Sequence, residues 1–222
     1  MCGRFSQSHH SEWLAERFGA TMDDELPPGR YNTAPTDPIR IVTENDGWRR
    51  LTAAQWGFRP FWLNVGDKGW INAKAETAFE SRAFGPALRS RRCVIPAQAF
   101  YEWRRETRPP QPYAIGPAGD DTFAFAGIWT DASRTGPATA AILTISANQA
   151  MAPLHHRMPV ILDEVDAWLD ADAPIQVVAS LLAPAPNDAL KIWPVATLVN
   201  NVRNDGPELL VPSAWLTTLP RR

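Results

Sequence analysis

The sequence has little of what would identify a secreted, membrane-spanning or generally basic protein. Its 222 residues include two cysteines, Cys2 and Cys93. No apolar run approaches the ~20 residues of a spanning helix, and no signal peptide pattern opens the sequence. We therefore expect a cytoplasmic protein with no membrane partner. The sequence leaves open whether the two cysteines form a disulfide, although the apolar run around Cys93 favours a buried free thiol.

The sequence also lacks an excess of positive charge. Its formal net charge is −2, so any binding to phosphates must depend on a local patch rather than on long-range attraction. Lysine is rare, and the lysines are Lys68, Lys74 and Lys191. The arginine bias suits forked contacts with phosphates, but genome composition explains it equally well.

The composition predicts one folded domain over residues 1–222. Apolar residues make up 45% of the chain, enough for a core, while 21 prolines and 13 glycines disfavour a helical bundle. The pattern predicts a mixed α+β domain rich in short strands. We expect strands at 39–43, 51–58, 93–96, 100–104, 122–130, 138–146 and 190–198. We expect helices at 8–18, from about 75 to 82, at 163–169 and at 174–182.

The first five residues, Met1-Cys2-Gly3-Arg4-Phe5, carry unusual chemistry. Removal of Met1 would leave Cys2 with both an α-amine, whose ordinary pKa is about 8, and a thiol. A neighbouring cation such as Arg4 would lower the pKa of the thiol. An amine condenses with an aldehyde to an imine, and the adjacent thiol then closes a five-membered ring. The alternative is a chance cysteine at a frayed terminus.

Three further positions have both structural and chemical interpretations. Asn72 precedes a predicted helix, where it would serve as a cap. Glu102 lies among Phe100, Tyr101 and Trp103, and it either pairs with an arginine or performs acid–base chemistry. His155 and His156 suggest chemistry or a metal site. The metal is the weaker interpretation, because adjacent residues on a strand point to opposite faces and no further ligand stands at short spacing.

A set of short motifs occurs in a specific order along nearly the whole chain. The motifs are Met1–Phe5, Arg30-Tyr31-Asn32-Thr33-Ala34-Pro35, Trp56-Gly57, Ile71–Thr77, Phe100-Tyr101-Glu102-Trp103, Ala126–Trp129, His155-His156-Arg157-Met158-Pro159 and Asn200–Asn204. In these motifs the chain resembles the SRAP family, the SOS response-associated peptidases, whose better-supported role is abasic-site processing.

The resemblance implies a single α+β domain in which mixed, short-stranded sheets form a distorted β-pseudobarrel with flanking helices. It implies an abasic-site processing enzyme that binds single-stranded DNA as a monomer, located at the nucleoid when bound. The enzyme forms a covalent thiazolidine with the ring-opened aldehyde, needs no cofactor or metal, and has self-processing peptidase and weak lyase side activities. The implied catalytic residues are Cys2, Asn72, Glu102 and His155. The implied DNA contacts are Arg4, Asn32, Pro35, Trp62, Lys74, Arg82 and Arg157.

The chain departs from the family pattern at two places. Lys74 stands where the family usually has arginine, so the charge is kept but the fork is lost. Gln98-Ala99 replaces the usual Asp-Gly before the Phe-Tyr-Glu-Trp motif. Two other functions stay open: an amidohydrolase with an N-terminal cysteine nucleophile, and a non-catalytic reader of damaged or modified DNA, such as modified cytosine.

Overall fold

The structure, a computed structural model, describes residues 2–63, 68–119, 122–132 and 136–216. Its strands are β1 (Phe5–Gln7), β2 (Thr21–Met22), β3 (Arg30–Thr33), β4 (Pro38–Asn45), β5 (Trp48–Trp56), β6 (Asn72–Lys74), β7 (Arg92–Ala97), β8 (Ala99–Arg104), β9 (Gln111–Pro117), β10 (Phe123–Thr130), β11 (Thr139–Ser146), β12 (Arg157–Pro159) and β13 (Leu190–Pro194). Its α-helices are α1 (Ser11–Phe18), α2 (Ala75–Ala78), α3 (Gly85–Ser90), α4 (Val165–Leu169), α5 (Ile175–Ser180) and α6 (Ser213–Leu216). Among these residues, no helix is both long and apolar enough to cross a membrane.

The strands form two sheets, and the α+β prediction is confirmed. One sheet has the order β13-β9-β8-β1-β3, and the other β12-β11-β10-β7-β4-β5-β2, with β6 paired to β11. A parallel pairing of Thr139 with Gln55 and Ala140 with Trp56 brings β5 back to β11. The second sheet therefore curls on itself while the first stays open, so the two do not make a regular barrel.

The core lies between the sheets and is built around aromatic side chains. Phe5 meets Trp56 edge-on at 4.9 Å between ring centroids, and Phe125 contacts both Phe5 and Phe100. Trp56 is a core residue, because its side chain is fully buried. Cys2 and Cys93 are both buried free thiols, so they do not form a disulfide with each other.

A buried glutamine fixes the N-terminal strand to the second sheet. Gln7 Nε2 donates to the carbonyl oxygens of Arg40 and Pro96, both at 2.8 Å, and Gln7 Oε1 accepts from the Arg40 amide. These bonds join β1 to β4 and β7 and satisfy polar groups that the core would otherwise leave unpaired. The position of β1, and hence of Cys2, is set by the core.

Several elements differ from the sequence prediction, mostly in length. The helices are shorter than expected: α2 ends at Ala78 rather than near residue 82. β9 lies in the Pro- and Gly-rich stretch where no strand was expected, and β13 ends at Pro194. Within the arginine cluster at 89–92, Arg92 is buried and donates to the carbonyl oxygens of Trp168 and Leu88.

Candidate active site

Strand pairing places the start of the chain beside Glu102. β1 pairs antiparallel with β8, with Phe5 opposite Phe100, and the Tyr101 amide donates to the Arg4 carbonyl oxygen at 2.9 Å. The continued register brings Cys2 alongside the end of β8 that carries Glu102. Two residues 100 positions apart in the sequence therefore come close enough for the charge of Glu102 to act on the Cys2 thiol.

The Cys2 side chain is fully buried. Its Sγ lies 3.9 Å from the Arg4 carbonyl oxygen, to which the thiol donates. Burial raises the pKa of the Cys2 thiol well above its usual range, and the negative charge of Glu102 raises it further. The expectation that a neighbouring cation such as Arg4 leaves this thiol with a lowered pKa is wrong. The Arg4 guanidinium bonds to Asn32 and Val199, and the hydrogen bond from the thiol to the Arg4 carbonyl oxygen lowers the pKa by less than burial raises it.

Asn72 holds the backbone of Cys2. Its Nδ2 donates to the Cys2 carbonyl oxygen at 2.9 Å. Its Oδ1 is buried and has no hydrogen-bond partner among the described residues. Asn72 does not cap the following helix, because the N-cap position of α2 is Lys74. One end of the Asn72 amide is thus committed to Cys2, and the other end can accept another hydrogen bond.

Glu102 is a buried carboxyl group, 6% exposed. Burial is the largest influence on this group and raises its pKa, while the positive charge of Arg105 acts in the opposite direction. A dominant ion pair with an arginine would have lowered the pKa instead. Glu102 is therefore closer to the range in which a carboxyl group exchanges protons at neutral pH.

His155 lies in the turn before β12, and its ring orientation is fixed by the backbone. The Arg157 amide donates to His155 Nδ1 at 2.9 Å, so the neutral ring carries its proton on Nε2. Burial, together with the charge of His156, lowers the pKa of His155 to about 4. The ring is then neutral at pH 7 and presents an Nε2–H donor.

The two histidines do not point to opposite faces, as the sequence had suggested. Their rings stack with centroids 4.3 Å apart, because the pair lies in a turn rather than on a strand. Within the described ranges, the structure brings together no group of three or more His, Cys, Asp or Glu side chains that could hold a metal ion.

An ion pair joins the His155 segment to the Asn72 segment. Arg157 NH1 and NH2 contact the two carboxylate oxygens of Glu76 at 2.5 and 2.8 Å. This forked bond lowers the pKa of Glu76 to about 2. Arg157 is 8% exposed and also donates to the Thr144 carbonyl oxygen. Its expected contact with a phosphate or with the lesion stays a prediction.

Asn32 also lies inside the protein rather than on its surface. The side chain is fully buried, and its Oδ1 accepts from Arg4 NH1 at 2.8 Å. Its Nδ2 donates to the carbonyl oxygens of Val199, Asn201 and Asn204. Asn32 therefore connects the loop at 199–204 to Arg4. The same loop is also bonded to β8, because Trp103 Nε1 donates to Asn200 Oδ1 at 2.7 Å.

Four of the other five predicted DNA contacts lie at the surface, while the fifth, Arg4, is partly buried and also stays a prediction. Pro35, Lys74 and Arg82 are exposed, and Trp62 is 41% exposed. The Arg82 guanidinium lies 5.5 Å from the Trp62 ring centroid. These four stay predictions.

Three residues near the site had not been singled out from the sequence. Arg105 lies close enough for its charge to lower the pKa of both Glu102 and His155. In both groups this effect is smaller than that of burial, which raises the pKa of Glu102 and lowers that of His155. Phe61 and Trp70 are exposed aromatic residues beside Trp62. The position of Phe61 directly after Pro60 could have indicated an exposed aromatic residue. No pattern in the sequence indicated that Arg105 lies near Glu102 and His155.

The departure at Gln98 from the family pattern has a structural account. Gln98 Oε1 accepts hydrogen bonds from the hydroxyl groups of Ser6 and Ser8. The Gln98 side chain thus bonds the turn between β7 and β8 to β1, the strand that follows Cys2.

Comparison with known proteins identifies a family and several relatives to which the chain is similar. The family model described as SOS response associated peptidase (SRAP) matches residues 1–202. The chain is 35% identical to the abasic site processing protein YoqW of Bacillus subtilis strain 168, over 95% of this chain and 99% of the relative. It is 31% identical to the abasic site processing protein YedK of Escherichia coli K12, over 96% and 100%. It is 34% identical to the abasic site processing protein HMCES of Gallus gallus, over 94% and 71%.

Solved structures show the same fold. A crystal structure of a protein from Bacteroides thetaiotaomicron superposes with a TM-score of 0.83 at 25% identity, covering 95% of this chain and 99% of that one. A phage-related protein from Bordetella bronchiseptica superposes with a TM-score of 0.71 at 26% identity, covering 87% and 94%.

Proposed function

The chain belongs to the SRAP family, and we propose that it processes abasic sites by binding single-stranded DNA and forming a covalent thiazolidine between Cys2 and the ring-opened sugar aldehyde. One observation carries the proposal: Cys2 is buried, its carbonyl oxygen accepts a hydrogen bond from Asn72, and the charge of Glu102 acts on its thiol. A frayed terminus would have neither the burial nor the contact. Curated relatives at similar length are named abasic site processing proteins.

Removal of Met1 creates the reacting group. The α-amine then belongs to the residue whose carbonyl oxygen Asn72 holds, and the buried Oδ1 of Asn72 lacks a partner among the described residues. An amine donates readily to an amide oxygen. Asn72 would therefore hold the amine through Oδ1 and the carbonyl oxygen through Nδ2, aiming its lone pair at the sugar.

Glu102 and His155 have different roles because their protonation states differ. Glu102, with its raised pKa, takes a proton from the attacking amine and returns it to the leaving hydroxyl. His155 is neutral and fixed with its proton on Nε2 by the Arg157 amide. It therefore acts as a hydrogen-bond donor to the sugar oxygen rather than as a base.

The covalent steps balance with the loss of one water. The amine adds to C1′ of the aldehyde to give a carbinolamine, which expels water and becomes an imine. The Cys2 sulfur then bonds to the imine carbon, and the thiol proton moves through Glu102 to the nitrogen. The thiol is protonated because burial raises its pKa, so attack by the amine comes first. The tethered thiol closes the ring with the advantage of proximity.

The DNA strand would follow the exposed predicted contacts. Lys74 and Arg82 would meet phosphates, Trp62 would stack on a base, and Pro35 would line the same surface. Asn32 and Arg157 would position other residues: Asn32 bonds to Arg4, and Arg157 bonds to Glu76. We expect a monomer that binds with a marked dependence on salt.

A crosslinking assay tests this function. Single-stranded DNA with one abasic site is mixed with the processed protein, and the heat-stable adduct is resolved on a denaturing gel. Wild type should form it, Cys2→Ala should not, and Cys2→Ser should yield only an imine that borohydride traps. A stable adduct from Cys2→Ser would refute the ring-closure step. Tight binding without any adduct would favour the non-catalytic reader.

The word peptidase in the family description supports a second, narrower activity, the removal of Met1 by the chain itself. Turnover of an amide substrate without DNA would extend it to a general amidohydrolase. The imine intermediate also permits β-elimination, so we expect weak strand cleavage as a side activity.

A further inference from the structure

Glu76 takes no part in the covalent steps, yet several hydrogen bonds converge on its carboxylate. The two terminal nitrogens of the Arg157 guanidinium donate to its Oε1 and Oε2 at 2.5 and 2.8 Å. The amide and the hydroxyl group of Ser146 donate to its Oε1 at 3.2 and 3.4 Å. Both carboxylate oxygens are therefore used, and the side chain has one defined orientation.

The register of the sheet explains why a carboxylate stands at this position. β6 runs parallel to β11, and the Ile142 amide of β11 donates to the Ile71 carbonyl oxygen on that side. Every second amide of a strand faces the same neighbour, so the Ser146 amide also faces this side. There α2 has replaced the strand from Ala75 onwards. The Glu76 carboxylate accepts from the amide that the ladder no longer satisfies.

Arg157 connects this carboxylate to the His155 ring. The Arg157 side chain is buried and bonds to Glu76 and to the Thr144 carbonyl oxygen. Its backbone amide donates to His155 Nδ1 at 2.9 Å. Arg157 therefore binds Glu76 through its side chain, while its main chain fixes which nitrogen of the His155 ring carries the proton.

The position of His155 depends on this anchor more than that of Asn72 does. Asn72 lies within β6, where strand pairing opposite Ile142 sets its position. His155 lies in the turn before β12, a three-residue strand at the edge of its sheet. Loss of the Glu76 carboxylate should therefore release the His155 turn and leave Asn72 in place.

We propose that Glu76 is a positioning residue for His155 and acts through Arg157. The carboxylate holds the Arg157 guanidinium, the Arg157 amide then meets Nδ1 of the ring, and the Nε2–H group points to the substrate. Glu76 itself contacts no reacting atom in this scheme. The proposal rests on the proposed function, since the substrate is taken to be the sugar of the abasic site.

A double-mutant cycle on the rate of crosslinking is the first test. At neutral pH, Glu76→Gln should slow adduct formation about 10- to 100-fold, because a displacement of about 1 Å in a reacting geometry can cost about 100-fold. In a His155→Ala background the same change should cost no more than about 2-fold, because its effect passes through the missing ring. Glu44→Gln breaks the ion pair with Arg49 near the end of β4 and should leave the rate unchanged in both backgrounds.

The His155 ring itself provides the second test. Long-range proton–nitrogen NMR spectra of the isotope-labelled protein distinguish the ring nitrogen that carries the proton, and His155→Ala assigns the signals. Wild type should carry the proton on Nε2, whereas Glu76→Gln should show exchange between both nitrogens. This replacement is isosteric and the Glu76 side chain is 41% exposed, so the variant should fold, which cooperative unfolding in urea checks.

Three results would each overturn the proposal. They are a wild-type rate in Glu76→Gln, a loss of rate that is as large without the His155 ring as with it, and a proton that stays on Nε2 in the variant. The spectra need no crosslink, so they separate this proposal from the proposed function. If wild type forms no adduct, the covalent function fails and the spectra alone decide the role of Glu76. If the adduct forms but the spectra of the variant match wild type, only the positioning role fails.

Discussion

Replacing Asn32 with alanine separates a positioning role from a direct contact with DNA. The buried Asn32 side chain bonds to Arg4 and to three carbonyl oxygens of the loop at 199–204. An asparagine has two N–H donors, so the three carbonyl groups share two bonds, and the bond from Arg4 is a third. At about 1 kcal/mol net for each bond, the variant should lose about 3 kcal/mol of stability.

Urea unfolding and a DNA titration measure the two consequences. With a slope of ~2–3 kcal/mol/M, the loss corresponds to a decrease of about 1 M in the urea midpoint. DNA affinity should fall because Arg4 loses its orientation, and Arg4→Ala should then add little further loss. Pro35→Ala, an exposed change in the same segment, should leave the midpoint nearly unchanged. An unaltered midpoint for Asn32→Ala, together with lost DNA binding, would refute the positioning role.

Three further changes have defined outcomes. The folded pKa of Glu76, about 2, lies below its ordinary value of 4.5. Its bond to Arg157 should therefore stabilise the fold fully above about pH 4.5 and fade as the pH falls towards 2. Because Glu76 is 41% exposed, that contribution is about 1 kcal/mol after solvent screening, and Glu76→Gln should remove its pH dependence in acid unfolding curves. Thr36 has a φ of 77°, a left-handed conformation that asparagine adopts at lower cost than threonine. Thr36→Asn should therefore raise the free energy of unfolding by about 1 kcal/mol. A lower melting temperature for this variant would show that Thr36 is not strained. Glu102→Gln should slow crosslinking about 100- to 10,000-fold in a time course while leaving DNA affinity unchanged, and an unaltered rate would remove Glu102 from the proton transfers.

The sequence predicted the parts of the fold that depend on local pattern. The long strands β4, β10 and β11 were predicted from their apolar runs, and the end of α1 at Gly19 from its glycine, which has a φ of 61°. The assembly of Cys2 with Asn72 and Glu102 could be predicted only through family resemblance. Strand pairing between distant segments brings these residues together, and no local pattern encodes it.

Burial was the property that sequence reasoning missed most often. Asn32, Arg92 and Arg157 are polar residues in polar stretches, and no local pattern marks any of them as buried, yet all three are. Each lies inside because carbonyl oxygens or a carboxylate satisfy its hydrogen bonds there, and such partners come from segments far along the chain. The pKa of the Cys2 thiol was misjudged for the same reason, since burial outweighs any cation nearby.

The intact mass of the protein, before and after mixing with single-stranded DNA bearing one abasic site, tests the central claim most directly. The protein alone should lack Met1. The product should have the summed mass of protein and DNA less one water, survive heating, and be absent from Cys2→Ala. A correctly processed protein that gives no such mass would contradict the covalent function.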